Sequence, residues 1–138
     1  MDFTFSEDQL LFQDSVRDFL VNEITTDAIR ASWETETGRN DELWGQLTEL
    51  GLTGMTVPEE FGGLGMNEVD FVLLAQECGY VALPEPLVQN VLIAVPLISA
   101  LSDELKAQWL PKIADGSAKV AVGLTENFLV EDAHVANL

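Results

Sequence analysis

Residues 44–65 read Trp44-Gly-Gln-Leu-Thr-Glu-Leu-Gly51-Leu-Thr-Gly54-Met-Thr-Val-Pro58-Glu59-Glu60-Phe61-Gly62-Gly63-Leu64-Gly65. This is the stretch on which the fold turns. Its first part is helical: Leu43, Trp44, Leu47 and Leu50 form an apolar stripe behind Asn40 and Asp41, which suit a helix start. Gly51 suits the left-handed residue that ends such a helix. Thr53 to Gly65, with Pro58 and four further glycines, reads as a turn-dense loop. Gly62-Gly63-Leu64-Gly65 could be taken for a phosphate loop, but no clear strand precedes it and the lysine of a P-loop is missing. A structural turn is the better reading.

Working outward, Ser6 and Gln9 fit a capping box, with Glu7 and Asp8 at the positive end of a long first helix. Leu10, Phe12, Val16, Phe19, Leu20 and Ile24 supply its buried face, the pattern fading after Ile29 into a loop over Ala31 to Gly38. A third helix is expected from Asn67 to about Val81, apolar nearly all round through Val69, Phe71, Val72, Leu74, Ala75 and Cys78. Pro84 and Pro86 open a fourth over Leu87 to Leu101, which Pro96 should kink or interrupt. Ser102 caps a fifth, with Leu105, Trp109, Leu110 and Ile113 facing inward, Pro111 bending or shortening it and Gly116 closing it. The period then changes. Lys119 to Leu124 is short and β-prone, and Ala133 to Leu138 looks like a further strand. The expectation is a mainly α fold: a helical domain over 1–116 and, over 117–138, the start of a β-domain that looks incomplete or completed by a partner.

Composition narrows the function. The chain has 138 residues, 24 acidic and 6 basic, for a net charge of -18. Nucleic acid and anionic membrane surfaces are therefore poor partners. The longest apolar stretch, Val91 to Leu101, is too short to span a bilayer and contains Pro96. No signal peptide is visible at Met1-Asp2-Phe3, so a cytoplasmic location is expected. Lys106, Lys112 and Lys119 alone offer positive charge in the second half to a phosphate-bearing ligand. Cys78 has no disulfide partner, and with His134 as the single histidine no ordinary zinc site is expected. Cys78 reads as a small buried hydrophobe, and Trp33, Trp44 and Trp109 as core or interface anchors.

Glu49 to Gly65, with its Pro-Glu-Glu-Phe-Gly-Gly run, closely resembles the acyl-CoA dehydrogenase family. Three further segments agree in order and spacing: Phe5-Ser-Glu-Asp-Gln9, Lys106 to Gly116, and Val122-Gly-Leu-Thr125-Glu126. The resemblance implies a helical N-terminal domain followed by a β-domain and a C-terminal bundle. It implies FAD as cofactor, an acyl-CoA substrate that undergoes α,β-dehydrogenation, and homo- or hetero-oligomers of acyl-CoA dehydrogenase subunits. Carried over by position, the resemblance puts Val122, Leu124 and Thr125 beside the flavin, with Thr125 as simply the end of a strand an equal alternative, and it puts Leu87, Val88, Val91 and Leu92 along the acyl group. For those four, core packing is an equal alternative. No catalytic residue is assigned, because the family's glutamate base belongs to C-terminal helices that nothing here matches. Glu59, Glu60 and Glu126 read as solvated or capping carboxylates.

After Glu126 the sequence departs from the family. Asn127-Phe128-Leu129 stands where a proline and small residues lead to Gly-Ser-Asp. Two readings are then open: part of a flavin-dependent acyl-CoA dehydrogenase that is inactive by itself, or a degenerate structural or binding subunit of a heteromeric one. A third, an acidic helical module with no cofactor, conflicts with the Pro58 to Gly65 match.

Overall fold

A computed structural model describes residues 4–123. Among the described residues seven α-helices succeed one another: α1 (Glu7–Glu23), α2 (Thr26–Trp33), α3 (Asp41–Glu49), α4 (Glu68–Tyr80), α5 (Leu87–Gln89), α6 (Val95–Ser99) and α7 (Asp103–Ala114). A 3₁₀ turn, Glu59–Phe61, lies in the glycine-rich loop, and a π-helical turn, Asn90–Ala94, joins α5 to α6. The fold is mainly helical, and among the described residues there is no strand. The first part of the expected strand, 119–123, carries no strand pairing, and its last residue, Leu124, lies outside the described residues, as does 133–138. No helix among the described residues is long and apolar enough to cross a membrane.

The helix starts are those their residues dictate. Ser6 accepts from the Gln9 amide while the Gln9 side chain accepts from the Ser6 amide, closing the capping box. Asn40 caps α3 through the Leu43 amide, and Asn67 with Asp70 closes a second capping box on α4. Ser102 takes the cap position of α7 with extended backbone, but its side chain makes no capping bond.

Several expectations need correction. The first long helix is two. α1 ends at Glu23, and Thr25, whose hydroxyl accepts from the Ala28 amide, starts α2 and carries helix through Ala31 to Trp33. Three consecutive β-branched residues, Ile24-Thr25-Thr26, favour the break, and the second of them is a ready cap. α4 is not buried all round: Phe71, Leu74 and Cys78 face the core while Val69 and Val72 are exposed. Leu50 lies outside the α3 stripe, and Leu105 and Trp109 of α7 are more than a third exposed. Of the tryptophans only Trp44 is buried, and Trp33 is largely in solvent. α7 runs through Pro111 to Ala114 without being shortened there.

Two apolar clusters hold the helices. The larger gathers Val16 and Leu20 of α1, Leu43, Trp44 and Leu47 of α3, Phe71 and Leu74 of α4, and Leu87 and Val91. The smaller gathers Val57, Ala94, Val95, Ile98, Leu110 and Ile113. Across the first seam α1 and α4 are also joined by charge. The Glu77 carboxylate, almost fully buried, accepts from Arg17 Nε and Nη2 at 2.7 Å each and from Gln13 Nε2 at 2.6 Å. The Arg17 hydrogen bonds outweigh the burial that opposes ionisation, so Glu77 is held below the usual carboxylate range.

α3 and α4 end alike. Gly51, at φ +76°, lets Gly51 N and Leu52 N reach the Thr48 and Leu47 carbonyls, a Schellman motif. Ala82 does the same for α4, its amide on Gly79 and the Leu83 amide on Cys78, but at φ +52° with a side chain that disfavours that region.

Ala82→Gly should raise stability by roughly 0.5–1 kcal/mol in urea unfolding, since the relieved strain exceeds the added chain entropy. Arg17→Met should lower Tm at pH 7 by roughly 3–6 °C. Glu77, depressed when folded, contributes its stability above its unfolded pKa of about 4.3 and loses it as pH falls through the lower folded value. Without the guanidinium, burial raises that pKa instead. The gap between variant and wild type should therefore narrow in melts taken from pH 7 to about pH 4.

Candidate functional site

The loop of residues 52–66 is the floor on which the candidate residues stand. Leu52, Thr53, Met55 and Val57 are fully buried, Met55 in the larger cluster and Val57 in the smaller. The Leu64, Gly65 and Met66 amides donate to the Gly54, Val57 and Met55 carbonyls at 2.9 Å, so the loop folds back on itself. Gly63 lies against Val57 so closely that a Cβ there would overlap the Val57 carbonyl, which explains the glycine physically. The loop is a packed turn, and a phosphate-binding role is not needed to account for its glycines.

Above it run α5, the π turn and α6. The Val95 amide bonds Asn90 O in the π register. The next bond of that register would need an amide at 96, where Pro96 has none. Thr56 Oγ1 donates to Val91 O at 2.8 Å instead, so the loop supplies the donor the helix lacks. Pro96 thus falls in the first turn of α6, and the interruption expected there is the π turn.

Leu87 and Val91, expected along an acyl group, are fully buried in the larger cluster. Val88 and Leu92 are half-buried against it. Val88 also borders an open cavity of about 330 Å³ between α4 and α5, with Ala75, Cys78, Leu83 and Gln89. The structure thus splits the four: two in the core, two at its edge, one of them on a cavity.

The chain leaves the helices along α6 and α7. Trp44 Nε1 donates to Gly116 O at 2.7 Å, the Ala118 amide to Lys112 O at 2.8 Å, and the Val120 amide to Asn90 Oδ1 at 3.0 Å. Val120 and Val122 then pack on the smaller cluster, leaving Val122 half-buried. Leu124 and Thr125 lie outside the described residues. Lys106 pairs with Asp103, Lys112 lies over Trp109, and Lys119 pairs with Asp41 and Glu85. All three lysines of this half are thus engaged within the chain.

Solved structures define the class of protein first. A Tcur3481-Tcur3483 steroid ACAD variant superimposes with a TM-score of 0.78 at 28% identity, over 89% of this chain and 34% of that one. The ChsE4-ChsE5 complex from Mycobacterium tuberculosis shares the fold, with a TM-score of 0.69 at 23% identity, over 86% of this chain and 30% of that one. The helical arrangement is therefore that of an acyl-CoA dehydrogenase helical domain. The family described as acyl-CoA dehydrogenase, N-terminal domain, matches residues 6–117, and the chain belongs to the acyl-CoA dehydrogenase family. The acyl-CoA dehydrogenase IpdE2 of Mycobacterium tuberculosis is 30% identical over 125 residues, 90% of this chain and 39% of that protein. The chain thus spans well under half the length of these relatives.

Sequence reasoning missed Glu77, Glu85 and Asn90. A signal existed for two of them: Glu77 is a charge beside the buried Leu74 and Cys78, and Glu85 stands between two prolines. Cys78 is the buried hydrophobe expected, its thiol pushed up to about 11 by burial. Iodoacetamide at pH 8 should therefore alkylate Cys78 about a hundredfold more slowly in the native chain than in urea, as monitored by mass spectrometry.

Proposed function

We propose that this chain is the helical part of a flavin-dependent acyl-CoA dehydrogenase and does not dehydrogenate acyl-CoA alone. The family match over residues 6–117 carries the reading. Members of the family are FAD-dependent, and FAD supplies the hydride acceptor when bound. In this reading Val122, Leu124 and Thr125 lie at the flavin, while Val88 and Leu92 line the acyl side over a core formed by Leu87 and Val91. No residue among 1–138 is assigned as the catalytic base.

Within that reading we favour the degenerate subunit of a heteromer. Asn127-Phe128-Leu129 replaces the small residues that family members place beside flavin and substrate. The steroid ACAD neighbour is named with two components, and the ChsE4-ChsE5 structure is named a complex. A partner subunit of the same family would then complete the flavin site, and steroid-derived or fatty acyl-CoA thioesters are the substrate class.

Visible absorption tests this. The chain purified with excess FAD should be colourless after gel filtration. Co-expressed with a homologous acyl-CoA dehydrogenase subunit, it should elute in a yellow complex that an acyl-CoA bleaches. A chain that alone retains one FAD and is bleached by acyl-CoA would overturn the incomplete-site reading.

A further inference from the structure

The best-anchored side chain near the chain's exit is one that no catalytic reading uses. The Lys119 side chain is about a quarter exposed, and its ammonium lies 3.2 Å from Asp41 Oδ1 and 3.3 Å from Glu85 Oε2. It also lies 4.9 Å from the centre of the Trp44 ring. Glu85 is fully buried at its side chain, and its other oxygen accepts the Asn40 amide at 2.8 Å. Oε2 has no hydrogen bond, so the ion pair with Lys119 is its one polar partner among the described residues. A buried carboxylate left without a counter-charge is costly, which ties Lys119 firmly to this place. Next along the chain, the Val120 amide is fixed by Asn90 Oδ1, while Asn90 Nδ2 donates to Pro86 O at 2.9 Å.

We propose that Lys119 is a positioning residue: seated on Trp44 between Glu85 and Asp41, and backed by the Asn90–Val120 bond, it fixes where the segment leading to Val122 leaves the helical wall. The three anchors come from different places. Asp41 and Trp44 belong to α3, and Glu85 precedes α5, the helix that carries Leu87 and Val88. One ammonium therefore ties the exit segment to α3 and to the start of the acyl-side helix together. Its consequence for flavin placement rests on the proposed function, but the anchoring itself does not.

Amide hydrogen exchange on the purified chain separates the two. Lys119→Met keeps the aliphatic stem on Trp44 and removes the charge. It should speed exchange in the peptide covering residues 117–123 about tenfold, while peptides of α1 and α4 keep their rates. Lys119→Arg should restore the slow rate. The double variant Lys119→Met/Glu85→Gln removes the stranded carboxylate, so it should recover thermal stability but not the slow exchange. Unchanged exchange in Lys119→Met would overturn the proposal, and so would acceleration spread evenly over all helices, the mark of a residue that only stabilises. In a flavin-containing complex, Lys119→Met should also weaken FAD retention about tenfold. Faster local exchange with FAD retention unchanged would leave the anchor standing and sink its link to the flavin.

Discussion

Six residues that belong to no helix, 52–57, pass through the middle of this protein, and everything else is arranged so that they can. A buried irregular backbone must find partners for its amides and carbonyls. Here it finds them in its own return, through the Leu64, Gly65 and Met66 amides, and in the helix above, where Thr56 meets the Val91 carbonyl. Only a glycine at 63 permits that return to lie so close to Val57. Met55 and Val57 sit in different apolar clusters, so this loop couples two helical groups that otherwise meet mainly through α5 and α6.

Charge is used sparingly and at seams. With 24 acidic and 6 basic residues, each cation matters. Arg17 neutralises Glu77 between α1 and α4, Lys119 faces Glu85 where the chain leaves, and Arg39 Nη1 holds the Pro84 carbonyl at 2.8 Å. Most of the acidic excess lies on exposed helix faces, where it favours solubility over any specific contact.

The legible parts of the fold were local. Ser6 with Gln9, Asn40 and Gly51 announce helix ends because their partners lie within a few residues, and the glycine-rich loop carried the family. The break at Thr25 was missed because the apolar spacing runs on past it, while the hydroxyl that starts α2 is an unremarkable threonine in sequence. Glu77 and Glu85 were missed for another reason. Their partners Arg17 and Lys119 lie 60 and 34 positions away, and no periodicity joins them. Of the candidate site, the sequence grouped Leu87, Val88, Val91 and Leu92 on one helical stretch, but it could not separate Leu87 and Val91, which build the core, from Val88 and Leu92 at its edge.

The π turn at Asn90–Ala94 has a bearing on which lengths of chain this domain tolerates. A π turn holds one residue more than an α turn, so it rotates the helix beyond it by about 100° relative to the helix before it. Leu87 before that offset belongs to one cluster and Val95 after it to the other. Removing a single residue here would give a more regular helix and a worse protein, because one apolar group or the other would swing toward water. Insertions and deletions in homologues should therefore fall in the connections before residue 87 or after residue 99, and spare the irregular turn between them.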